Sequence, residues 1–131
     1  FFNNMELKEY FKKGKLYVWN EKFAIVKSTK LLPNAFAVIK DKNEITCVIE
    51  QPKIENSKDI IKVNKNWKIL TFDMKLLFNL AGFLAKVSTA LAREGISIFV
   101  ISSYSTDHIL VKEKNLKKAI NKLKSLGFQL K

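Results

Sequence analysis

Cys47 and His108 are each the only residue of their type in the chain. One cysteine forms no intrachain disulfide and builds no cysteine zinc site. Together the two counts argue against zinc sites, Cys–His dyads and Ser–His–Asp triads. Cys47 reads as a small buried hydrophobe and His108 as a satisfied or surface residue opening a strand. The carboxylates Asp73, Glu94, Asp107 and Glu113 in the second half show no acid–base spacing. A small phosphate-handling hydrolase would want an arginine cradle. Arg93, the only arginine, sits late in a helical pattern beside Glu94 and reads as a surface residue. Catalysis is thus the least favoured class, and no cofactor or metal is called for.

Two stretches could hold a ligand. Ala81, Gly82 and Phe83 open a helix after an irregular stretch, and the N–H groups of a helix start lack internal acceptors. They suit an anion such as a carboxylate. The competing reading is close helix–strand packing, equally favoured on these residues alone. Residues 102–108 (Ser-Ser-Tyr-Ser-Thr-Asp-His) are the densest polar stretch between two apolar strands. Their hydroxyls and one carboxylate could hold a small zwitterion, Asp107 taking the cationic group. Hydroxyl residues and Asp are also ordinary at a hairpin tip, and composition alone puts the hairpin first.

The elements that must position these residues follow from periodicity. Residues 15–28 read as a strand with a kink at Asn20-Glu21. Residues 35–40 and 44–50 read as a hairpin joined by the turn formers Asp41, Lys42 and Asn43. Pro33 and Pro52 discourage helix at their positions. Residues 53–58 form a polar connection, then 59–63 and 67–72 read as two more strands. Trp19 and Trp67 are expected to pack. Leu84, Val87, Ser88 and Leu91 recur at helical spacing, and Gly95 sits where a C-cap is expected. Residues 96–102 read as a fully apolar strand and 108–112 as another. A second helix follows, capped by Asn115 and closed by Gly127, with Leu116, Ala119, Ile120 and Leu123 inward. Residues 128–130 form a last strand. From Trp67 the order is βαββαβ, the split ferredoxin-like arrangement. The first half has a similar strand order with weak helices, suggesting a degenerate duplication. The fold class is α+β: two ferredoxin-like units, the first degenerate, packed together. The expected division is an N-terminal extension over 1–14, a degenerate unit over 15–65 and a second unit over 66–131. Met5 is expected as the native start, with 1–4 an added remnant.

The 131 residues are 47% hydrophobic and 27% charged, ordinary for a globular protein and poor for disorder. The longest apolar runs fall far short of the ~20 residues of a membrane helix. No secretory signal is visible, and with a lone cysteine a cytoplasmic setting is the default expectation. Lys plus Arg is 24 against 12 for Asp plus Glu, a net charge of +12. Such charge occurs in nucleic-acid binders. The lysines are spread along the chain rather than blocked, however, and the aromatic platform of an RNA-recognition motif is missing, with only Phe36 and Phe99 in the relevant strands. Nucleic acid is therefore disfavoured, and a structural module is the other alternative.

The second half resembles a known family. Residues 80–84 (Leu-Ala-Gly-Phe-Leu), 91–92 (Leu-Ala), 94–99 (Glu-Gly-Ile-Ser-Ile-Phe), 101–102 (Ile-Ser) and 106–112 (Thr-Asp-His-Ile-Leu-Val-Lys) resemble the C-terminal unit of tandem ACT-domain proteins. These are amino-acid-binding regulatory modules related to aspartokinase effector domains and cellular amino-acid sensors. The first half is a looser match. The resemblance implies two ACT-type units and a free amino acid bound at an interface between ACT units. It implies contacts from Ala81, Gly82 and Phe83 at the helix opening, from Ser103, Tyr104, Thr106 and Asp107 at the polar turn, and from Thr46 and Cys47 of the first unit. It further implies an allosteric role, a homodimer or other homo-oligomer and a protein partner. The turn reads Ser103-Tyr104-Ser105 where relatives usually have Thr, an aromatic, then Asp or Asn, and Ala81 stands where Thr is common. These departures bear on which amino acid is bound.

Overall fold

A computed structural model describes residues 11–12, 14–54, 57–73 and 82–131. The described residues form eight strands and two α-helices, an α+β fold. The strands are β1 (Lys15–Val18), β2 (Phe23–Ser28), β3 (Ala37–Lys40), β4 (Ile45–Glu50), β5 (Ile60–Phe72), β6 (Phe99–Ser102), β7 (Asp107–Lys112) and β8 (Gln129–Leu130). The helices are α1 (Phe83–Arg93) and α2 (Leu116–Ser125). No helix among the described residues is long and apolar enough to cross a membrane.

The chain divides into two compact units. One holds residues 1–19 and 69–131, the other residues 20–68. The segment through Trp19 therefore groups with the C-terminal half, where the expected division assigned 15–19 to the first unit. The reason is strand pairing. Leu16, Tyr17 and Val18 of β1 pair antiparallel with Phe72, Thr71 and Leu70 of β5. Lys15 and Leu16 pair parallel with Gln129 and Leu130 of β8. The stretch read as one kinked strand over 15–28 is thus two strands, with Asn20-Glu21 as the crossing between units. Conversely, the strands expected over 59–63 and 67–72 are one continuous strand, β5. Asn66 is accommodated within it at φ 70°, a left-handed conformation that Asn tolerates better than most residues.

In the larger unit the order β5-α1-β6-β7-α2-β8 is the expected βαββαβ sequence. Its sheet runs β6-β7-β5-β1-β8, because β1 inserts between β5 and β8. Periodicity set the helices. Phe83, Val87, Ala90 and Leu91 are the buried residues of α1, and Ala119 and Leu123 those of α2. All of these but Ala90 cluster with Leu16, Leu70, Phe72, Ile109 and Val111 from the alternate positions of β1, β5 and β7. Phe72 and Phe83 meet edge to face at 5.3 Å and Phe72 and Phe128 at 5.2 Å, geometries that add to area burial. Asn115 occupies the expected N-cap position but makes no side-chain capping bond. The fully apolar strand expected over 96–102 is shorter, Phe99–Ser102, and half-exposed. Among the described residues it pairs only with β7 and lies at the sheet edge.

The smaller unit has strand order β3-β4-β2-β5. Its only helical element among the described residues is a single 3₁₀ turn, Gln51–Ile54. Ala24, Val26, Cys47 and Ile49 form its core, with Leu32, Ala35, Ile54 and Ile60 packed against them.

Candidate functional site

The polar turn joins β6 to β7, whose register pairs Ser102 with Asp107 and Ile101 with His108. Ser103 N–H donates to the Thr106 carbonyl at 2.9 Å, which closes the turn. Ser103 Oγ also donates to that carbonyl at 2.9 Å and lies 2.8 Å from Thr106 Oγ1. Ser102 Oγ donates to Asp107 Oδ1 at 2.5 Å. Tyr104, at the tip, is 82% exposed. The turn is thus a hydroxyl-rich, internally bonded hairpin tip carrying one half-buried carboxylate.

Alternation along β7 sends neighbouring side chains to opposite faces of the sheet. Asp107 shares parity with Ile109 and Val111, the core-facing residues beneath the helices. His108 shares parity with Leu110 and faces the other way. There a hydrogen-bonded chain runs through the sheet. Trp19 Nε1–H donates to Thr71 Oγ1 at 2.8 Å, and Thr71 Oγ1 lies 2.7 Å from His108 Nδ1. His108 Nε2 lies 3.3 Å from Ser103 Oγ. One proton arrangement uses every donor in turn. Trp19 can only donate, and the Thr71 hydroxyl proton is then available to Nδ1. The imidazole proton then sits on Nε2 and donates to Ser103 Oγ, whose own proton goes to the Thr106 carbonyl. Burial pushes the His108 pKa below its ordinary value, against the opposing pull of the Asp107 carboxylate. Burial thus favours the neutral imidazole that this arrangement uses. Thr71 carried no signal in the sequence. Only its pairing opposite Tyr17 on β1 places it between Trp19 and His108.

The other expected site residues fall elsewhere. Gly82 opens α1 in the left-handed region at φ 87° and is exposed, with no side-chain cap on this helix end. Phe83 is 3% exposed, and its side chain belongs to the aromatic core. Ala81 lies outside the described residues. Thr46 and Cys47 are neighbours on β4 and so face opposite sides of its sheet. Cys47 is fully buried, with its sulfur 3.6 Å from Ser28 Oγ. Thr46 lines a shallow depression of about 320 Å³ with Ile25, Lys27, Lys62, Val63 and Asn64. The structure therefore brings Ser103, Thr106 and His108 together, joins Asp107 to Ser102, and gives no hydrogen bond between Gly82 and the turn among the described residues. It shows no cluster of three or more metal-ligating side chains there.

Residues 62–125, which contain β6, β7, α1, α2 and most of β5, match the ACT domain family. That segment is an ACT domain, as its motifs imply. A solved structure of an Agobacterium tumefaciens protein is similar to it at 25% identity and TM-score 0.78, covering 90% of this chain and 92% of that one. A Vibrio cholerae protein of unknown function is similar at 20% identity and TM-score 0.73, covering 93% and 96%. The ligand-free regulatory subunit of aspartate kinase from Thermus thermophilus shares 10% identity and TM-score 0.64, over 87% and 96% of the two chains. Comparison with curated proteins gives no match.

Proposed function

We propose that the chain is a non-catalytic regulatory module of the cytosol that binds a free amino acid. The observation that carries this reading is the preorganised polar turn of the ACT-matching segment, with Ser103, Thr106 and His108 bonded together and Asp107 held by Ser102 toward the helix side of the sheet. Asp107 Oδ1 holds Ser102, and its Oδ2 accepts no bond among the described residues. That oxygen can take the ligand's ammonium by a charge-assisted bond. The amides opening α1 at Gly82 suit the ligand's carboxylate. The proposal extends to binding between ACT units, of one chain or of two copies, and to a protein partner that reads the occupied state. The structural likeness to an aspartate kinase regulatory subunit supports a regulatory role of this kind.

Thermal-shift screening of the full chain against the twenty common amino acids at millimolar concentration tests the reading. A rise in Tm with one or a few is expected. Twenty flat responses would refute amino-acid binding.

A further inference from the structure

Spread along the sequence, the cations nevertheless converge in the helix layer. α1 carries Lys86 and Arg93, and α2 carries Lys117, Lys118, Lys122 and Lys124, six in all with no Asp or Glu on either helix. Between the helices lies an open groove of about 460 Å³, lined by Ala85, Lys86, Thr89, Arg93, Lys122 and Leu126 among others. Lys86, Arg93 and Lys122 enter no ion pair among the described residues. We propose that this groove docks the phosphate backbone of a nucleic acid, independently of base sequence.

Three observations favour that occupant. Lys86 and Arg93 are seven residues apart on one helix, about 10 Å along its axis. That distance is about the rise of three stacked nucleotides, so the cations are spaced for an extended polyanion rather than a single phosphate. Secondly, none of the exposed large hydrophobic side chains lies on α1 or α2, so the layer offers no apolar anchor to a lipid surface. Finally, a chain of net charge +12 repels a second copy of itself at a helix face whose residues include six cations and no Asp or Glu. The groove lining holds no aromatic ring for base stacking. The contact is therefore to phosphates, which position without reading sequence.

Fluorescence anisotropy of the full chain with labelled 30-residue single-stranded DNA, RNA and duplex DNA tests this. The three probes separate strand types, and all three should bind at 50 mM salt. With about three phosphates contacted, log affinity for the single strands should fall against log salt with a slope of about −2. Triple substitution Lys86→Glu, Arg93→Glu, Lys122→Glu should lower affinity at 50 mM salt by roughly 100-fold or more. The same charge change at exposed Lys40, Lys42 and Lys58, far along the sequence in the smaller unit, should cost less than threefold. The milder triple Lys→Gln and Arg→Gln substitution should reproduce the loss if the reversal disturbs folding by circular dichroism. No binding by the native chain at 50 mM salt overturns the proposal. So do equal losses in the two triple variants, or displacement by polyglutamate as effective as by nucleic acid, which would make an acidic protein the occupant.

Discussion

Thr71 Oγ1 and His108 Nδ1 lie 2.7 Å apart, across 37 residues of sequence, and Thr71 is simultaneously the acceptor for Trp19 Nε1. One threonine hydroxyl thus ties the last residue before the crossing between units to the strand that carries the polar turn. The bond is closed from water, with Thr71 3% and His108 9% exposed, so it keeps more of its strength than a surface contact would.

Replacing Thr71 by Val keeps the shape and removes the hydroxyl. Two hydrogen bonds go, each with a net contribution of about 1 kcal/mol, so the variant should lose about 2 kcal/mol in urea unfolding. Thr71→Ser retains both bonds and should lose less than half of that. Equal losses in the two variants would show that the methyl group, not the hydroxyl, matters.

Stability should fall as pH drops below about 6.5, the ordinary His value. The sign follows from burial. The folded state holds His108 neutral, so around and below that pH the unfolded chain binds more protons, and protonation favours unfolding. The contribution is fully present above pH 6.5 and is lost as pH falls through the depressed folded pKa. Tm measured from pH 7.5 to 5 should therefore decline, and His108→Gln should flatten the decline. An identical slope in that variant would assign the pH response to other groups.

Phe72 is fully buried and packs against Phe83 and Phe128. Phe72→Ala should cost about 3–5 kcal/mol. Cys47→Ala, a much smaller deletion in the smaller unit's core, should cost clearly less. Chemical denaturation midpoints give the order.

Gly127 follows α2 at φ 116°, and a Cβ there would stand 3.2 Å from the Phe11 carbonyl oxygen. Strain and contact act together, so Gly127→Ala should destabilise by at least about 1 kcal/mol. An unchanged Tm would mean that the turn after α2 relaxes freely.

Asp107→Asn tests the amino-acid reading directly. The change keeps size and removes the charge proposed for the ammonium. The Tm rise caused by a responsive amino acid should disappear, while the ligand-free Tm shifts by less than a few degrees, because Asp107 is only half-buried. A retained ligand shift would move the ammonium partner elsewhere.

Local reading reached far in the larger unit. The helical spacing from Leu84 and from Leu116 marked α1 and α2, and turn chemistry marked the β6–β7 connection. Such signals reside in a dozen neighbouring residues, each of which reports its own exposure. The ACT resemblance was legible for the same reason, since its residues lie in continuous runs.

What the amino-acid order determined by itself was therefore each element's type, the α+β class and the polar character of the turn. Tertiary structure alone decided which strands are partners. β1 pairs with β5 and β8, more than fifty and more than one hundred residues away, and that choice carried residues 15–19 out of the unit to which they are nearest in sequence. It also decided that Thr71 bridges Trp19 and His108, and that lysines scattered in sequence share one helix layer. Periodicity tells a residue which way to face, while its neighbours across a sheet or a helix pair depend on how the whole chain buries its apolar surface.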